Sequence, residues 1–181
     1  MVKNFLKSSV LASAKSTSIM YKILILAAEL VDWDSLRAAW ATSVQSGVLT
    51  IEVPLIESAT SSSWKQIDCA AGTVIPSIAP GEAPQDGIAT INASVDGVDE
   101  TVLDFAYGMQ GEEVVAVIER CADGKKFIFA NPCTGGMVFQ YQSIGALDGN
   151  KAGMSFTLTG KDCPVPMLVY SPTEEVEDNE F

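Results

Sequence analysis

The sequence contains no histidine at all. That absence removes the Ser-His-Asp and Cys-His nucleophile pairs and every imidazole metal site. Basic residues are few, 11 Lys plus Arg against 23 Asp plus Glu, for a formal net charge of −12. A chain of that balance is poorly suited to wrapping nucleic acid by neutralising phosphates. Apolar runs are short, and none reaches the roughly 18–20 residues that span a bilayer. Cys-x-x-Cys is missing as well. Cys69, Cys121, Cys133 and Cys163 stand 52, 12 and 30 residues apart. Zinc sites usually draw on two close pairs, so this spacing argues against metal. Free buried cysteines in a reducing cytoplasm are the simple expectation, and disulfides are the alternative.

What is present describes a globular chain. Its 181 residues suit one domain, with 48% hydrophobic and 19% charged residues, a composition that folds around a core. Residues 1–18 carry Lys3, Lys7 and Lys15 among serines and threonines. The longest apolar stretch there is Val10-Leu11-Ala12, short of the roughly 7–15 residues of a secretory signal core. These residues therefore read as a flexible basic arm. Residues 171–181 (SPTEEVEDNEF) read as an acidic tail. Between them, 19–170 reads as a single β-rich domain.

One helix is expected, at about 33–46. Asp32 or Asp34 can cap it, Trp33, Leu36, Trp40 and Val44 recur at helical spacing, and Gly47 follows its end. The tryptophans are expected to pack this helix on a sheet. Elsewhere the pattern is β. Val48–Ile56, Trp64–Cys69, Ile88–Val95, Glu100–Tyr107, Glu113–Arg120, Lys126–Ala130, Met137–Ile144, Gly153–Thr159 and Met167–Tyr170 are strand candidates. Asp96-Gly97, Asp123-Gly124 and Asp148-Gly149-Asn150 are turn signals between them. The stretch 72–87, with Pro76, Pro80 and Pro84, reads as a long extended loop. Turns at this spacing predict a mainly β fold, a β-sandwich or partly open barrel of short antiparallel strands, with the one helix on its flank.

No constellation carries a reaction. Asp96, Asp99, Glu100 and Asp104 crowd one turn, but nothing sets them at the separation a glycosidase needs, and solvated loop acids are the plainer account. Asp148-Gly149-Asn150 lacks the spaced acids of a helix-loop-helix calcium site. Thr134-Gly135-Gly136 lacks the phosphate-loop pattern. Neither Lys15 with Ser16 nor Ser63 with Lys65 has Ser-x-x-Lys spacing. Phe127, Phe129, Phe139 and Tyr141 alternate by two, which fits an inward sheet face better than a base-stacking platform. No catalytic, cofactor-binding or metal-ligating residue is assigned, and no cofactor is expected.

The block Cys121–Tyr170 resembles the C-terminal half of virion structural proteins of tailed phages and prophages of gut Bacteroidales. The resemblance lies in a strand (Lys126–Ala130), an Asn-Pro turn (Asn131-Pro132), an aromatic strand (Met137–Tyr141), an Asn-x-x-Gly turn (Asn150–Gly153), a Phe-Thr-Leu-Thr-Gly strand (Phe156–Gly160) and a proline-containing exit to an aromatic residue (Pro164–Tyr170). It covers about 50 of the 181 residues. Tail-tube proteins of this kind are β-sandwiches with a flanking helix that stack as rings. The resemblance implies a non-enzymatic, self-assembling tail-tube or ring subunit in the virion. Its partners would be copies of itself and other virion proteins, DNA would be only passing cargo, and no membrane span is implied. A capsid decoration or fibre-anchoring protein, or a secreted β-sandwich binding module, is the alternative. In the first case removing residues 1–18 is expected to weaken assembly without unfolding the monomer.

Overall fold

A computed structural model describes residues 10–11, 22–60, 63–81, 86–119, 124–133, 135–147 and 151–171. The expected acidic tail beyond Ser171 and the Asp148–Asn150 turn lie outside them, as does the N-terminal arm apart from Val10–Leu11. In chain order the elements are β1 (Val10–Leu11), β2 (Lys22–Ala27), a 3-10 turn (Ala28–Leu30), α1 (Trp33–Ser46), β3 (Thr50–Ile51), β4 (Lys65–Asp68), β5 (Ile75–Pro80) and β6 (Gly87–Asp96). They continue with α2 (Glu100–Met109), β7 (Glu113–Glu119), β8 (Lys126–Phe129), β9 (Met137–Leu147), β10 (Lys151–Gly160) and β11 (Met167–Tyr170). The fold is mainly β, as expected.

β7 is the root of the sheet. Its sequence, EVVAVIE, is β-branched and apolar, and Val114 through Ile118 are all buried, the pattern of a strand covered on both faces. β2 pairs antiparallel along one edge, Ile23 opposite Ile118 and Ala27 opposite Val114. The other edge forks. β9 pairs with Glu113 and Val114, and β8 pairs with Ala116 to Glu119. One branch runs β9-β10-β6-β5, and the other runs β8-β11-β3.

Beyond β2, β4 pairs antiparallel and β1 pairs with β4 in parallel. The β4 end of the sheet and the far end of the long branch return toward each other. In the turn between β4 and β5 the Ala70 N–H donates to the Ser94 carbonyl of β6 at 2.7 Å, and the Ser94 N–H donates to Thr73 Oγ1 at 3.1 Å. The sheet from β4 through β2 and β7 to β6 therefore curls into a partly closed barrel.

Two cores form on opposite sides of β7, because successive strand side chains point to opposite faces. Val114, Ala116 and Ile118 face the first, the barrel interior, with Ile23, Ile25, Ile67, Ile91, Phe129, Phe139, Met154 and Phe156. Val115 and Val117 face the second, with Leu26, Leu36, Trp40, Ile51, Trp64, Ile128 and Leu168. The inward placement expected for Phe127, Phe129, Phe139 and Tyr141 holds, and all four belong to or pack on the first core. Phe139 stacks on Phe156 with centroids 5.1 Å apart and meets Phe105 edge-on at 5.4 Å.

α1 covers the second core. Asp32 caps it, its carboxylate accepting from the Ser35 N–H at 3.2 Å and the Ser35 hydroxyl at 2.7 Å. Those hydrogen bonds to the charged form hold the Asp32 carboxyl below its ordinary range. Gly47 ends the helix at φ 71°, a conformation that suits glycine. Leu36 and Trp40 are buried, whereas Val44 is exposed and Ser43 takes its place against the sheet. The Trp40 indole N–H donates to the Val165 carbonyl at 2.9 Å and that of Trp33 to the Ala28 carbonyl at 2.8 Å.

The structure corrects two expectations. Residues 100–107, read as a strand, belong to a second helix. Thr101, Val102 and Phe105 favour strands as single residues. The Asp99 side chain, however, caps α2 by accepting from the Val102 N–H at 2.9 Å, and Val102, Ala106 and Met109 line one helical face in the first core. The stretch 72–87, read as a loop, contains β5. Its prolines are compatible with a strand that needs no donor on its free edge.

Candidate functional site

The acids that crowd the sequence around residue 99 are parts of the scaffold. Asp96 ends β6, Asp99 caps α2 and Glu100 lies in its first turn, where its charge suits the positive helix end. Asp104 is exposed on the outer side of α2. Ser63 and Lys65 do not form a dyad, because the Ser63 hydroxyl accepts from the Thr60 N–H at 3.2 Å while Lys65 lies in β4. Lys15, Ser16, Cys121 and Thr134 lie outside the described residues. Among the described residues no three His, Cys, Asp or Glu side chains are grouped to hold a metal ion. No described helix is long and apolar enough to cross a membrane.

Two features stand apart from the ordinary needs of folding. The first is β5, IPSIAP, whose six residues are all exposed. It pairs antiparallel with β6, Pro76 opposite Ile91, Ile78 opposite Ala89 and Pro80 opposite Gly87. Directly opposed residues share a face, so Ile78 lies on the same side as the buried Ala89 and Ile91. It nevertheless remains 47% exposed, and Ile75, on the other face, is 57% exposed. The first core thus ends in an apolar rim.

The backbone of β5 has its own logic. The Gly81 N–H donates to the Asp86 carbonyl at 2.5 Å. Hydrogen-bonded pairs alternate along an antiparallel ladder, so Ala79, Ser77 and Ile75 turn their N–H groups toward β6. The residues that face away from β6 are Pro76, Ile78 and Pro80. Two of these three have no N–H, and Ile78 alone offers a donor along the free edge.

The second feature is a loop cluster beside the start of β6. Gly87 and Cys163 exchange backbone hydrogen bonds, 2.9 Å from the Gly87 N–H and 3.4 Å from the Cys163 N–H. A Cβ on Gly87 would stand 2.5 Å from the Cys163 carbonyl oxygen, so this approach requires glycine. Buried Asn131 donates through Nδ2 to the Lys161 carbonyl and accepts through Oδ1 from the Cys133 N–H at 3.3 Å. Arg37 of α1 reaches the same loop, its Nε donating to the Pro132 carbonyl at 2.7 Å. These contacts bring the sulfurs of Cys133 and Cys163 to 4.0 Å. Burial pushes the Cys163 thiol up to about 12, with the Val165 backbone hydrogen bond opposing and Cys133 adding to the rise.

Sequence reasoning missed both features. A proline-rich edge strand has the composition of a loop, and a spacing of 30 residues gives no sign of which cysteines meet. The signal available for β5 was the even spacing of Pro76, Ile78 and Pro80. Comparison with protein-family models, curated proteins and solved structures gave no match to the chain.

Proposed function

We propose that the chain is a non-enzymatic virion structural protein, a self-assembling tail-tube or ring subunit. The observation that carries this reading is β5, an edge strand with exposed isoleucines on both faces. Scattered exposed apolar residues are ordinary, but Pro76, Ile78 and Pro80 share one face and prolong the rim of the first core, where exposed apolar surface supports a contact. The blunted backbone edge fits a closed assembly. With one outward donor, at Ile78, strand-to-strand zippering is disfavoured, and contact falls to side chains that recognise a particular neighbour. The resemblance of Cys121–Tyr170 to virion proteins points the same way. A net charge of −12 suits a conduit through which DNA slides without binding, since acids repel phosphates.

The test is the assembly state of the purified chain, by light scattering on a sizing column with negative-stain images of each peak. Rings or tubes are expected, and Ile78→Glu is expected to return them to monomers with an unchanged Tm. A chain that stays monomeric at high concentration overturns the reading. The second reading, a secreted β-sandwich binding module, draws on one observation, the approach of Cys133 to Cys163, because paired cysteines belong to oxidising compartments.

A further inference from the structure

We propose that Cys133 and Cys163 are a redox-active dithiol, a modification site that reacts with low-molecular-weight disulfides and closes to an intramolecular disulfide. The cysteines come from different loops, one between β8 and β9 and the other between β10 and β11. Their sulfurs are nevertheless 4.0 Å apart. Asn131 bridges the two loops directly, joining the Cys133 N–H to the Lys161 carbonyl. Each loop is also fixed from outside, by Arg37 at Pro132 and by the paired backbone of Gly87 at Cys163. A disulfide bond is about 2.05 Å long, so closure asks for roughly 2 Å of sulfur movement, within the reach of side-chain rotation. Cys69 lies in the first core with its thiol turned to the Ile67 carbonyl at 3.7 Å, which leaves it outside this chemistry.

Exposure sets the order of events. Cys133 is exposed and Cys163 is buried. The Cys133 thiolate attacks one sulfur of the incoming disulfide, forming a mixed disulfide and breaking the reagent's S–S bond to release one thiolate. The Cys163 sulfur then attacks Sγ of Cys133 and displaces the second thiolate. The two protons lost by the cysteines are taken up by the two departing thiolates. In sum the two protein thiols are oxidised and one reagent disulfide is reduced to two thiols.

The experiment incubates the full chain with oxidised glutathione, quenches with N-ethylmaleimide and maps peptides by mass spectrometry without reduction. A cross-linked Cys133–Cys163 peptide is expected, with Tm raised by several degrees and restored by dithiothreitol. C163S is expected to stop at a glutathione adduct on Cys133, and C133S to give neither product. A stable adduct on Cys133 of the unaltered chain, a Cys121–Cys133 link, or no oxidation at all would overturn the proposal. Because these readouts are independent of assembly, failure here leaves the ring or tube reading standing, and failure of that reading leaves this one standing.

Discussion

All three tryptophans belong to one side of the molecule. Trp40 and Trp64 are in the second core and Trp33 packs against it. Intrinsic fluorescence therefore reports that core, while far-ultraviolet circular dichroism reports the whole sheet. Phe139 lies on the opposite side of β7, fully buried between Phe156 and Phe105. Replacing it with alanine removes a ring whose burial, at about 25 cal/mol per Å² over its side chain, is worth about 4 kcal/mol. Measured Phe→Ala costs in cores lie at about 3–5 kcal/mol. With a urea dependence of about 2 kcal/mol per molar, the midpoint should fall by about 2 M. The fluorescence midpoint should fall by the same amount, although no tryptophan touches Phe139. The coupling is β7 itself, whose Val114, Ala116 and Ile118 serve one core while Val115 and Val117 serve the other. One core cannot melt and leave the other's central strand in place. A fluorescence transition that stays fixed while the dichroism transition moves would refute this, and would mean that the cores fold as separate units.

Two further outcomes follow from local geometry. Gly87→Ala places a methyl group against the Cys163 carbonyl oxygen at 2.5 Å, an overpacking expected to cost about 1–3 kcal/mol. An unchanged Tm would show that the β6 start yields freely. Tyr170 and Cys163 set an alkaline limit. Burial, with Glu52 adding to it, pushes the Tyr170 phenol from 10.0 up to about 12, and Cys163 is raised from 9.0 to about 12. Both groups favour the protonated folded form, so their contribution is whole below the unfolded values and is lost as pH rises through the 9–12 range. Urea midpoints should therefore fall from pH 8 to pH 11, and Tyr170→Phe should fall less. Equal slopes for the two proteins would exclude Tyr170 as a cause.

Legibility in the sequence followed from how local each cause is. α1 could be read because its instructions are contiguous. Asp32, the 3.6-residue recurrence of Leu36 and Trp40, and Gly47 all lie within one segment. β7 was legible because its five consecutive apolar residues, four of them β-branched, have the pattern of a strand covered twice. α2 was not, because Thr101, Val102 and Phe105 carry strand preference while the decisive forces are a capping carboxylate and a tertiary face made by Val102, Ala106 and Met109. The fork at β7 was hidden for a different reason. It depends on β8 and β9 sharing one strand edge, and pairing partners at that distance leave no mark on either segment alone. The candidate site shows the same division. The isoleucines of β5 are plain in the sequence, but their exposure is not. Asn131, one asparagine beside a proline, gives no hint that it is buried and ties two cysteine loops together.

Pro76 and Pro80 are four residues apart, an even interval. Both can therefore turn their nitrogens away from β6 at once. A single residue inserted between them would swing one proline into the ladder and remove a hydrogen bond to β6, along with the register that aligns Ile78 with Ala89. The segment can thus accept many exchanges of side chain but no odd change of length. Among related chains, drift here would take the form of substitutions, and insertions or deletions would come in twos.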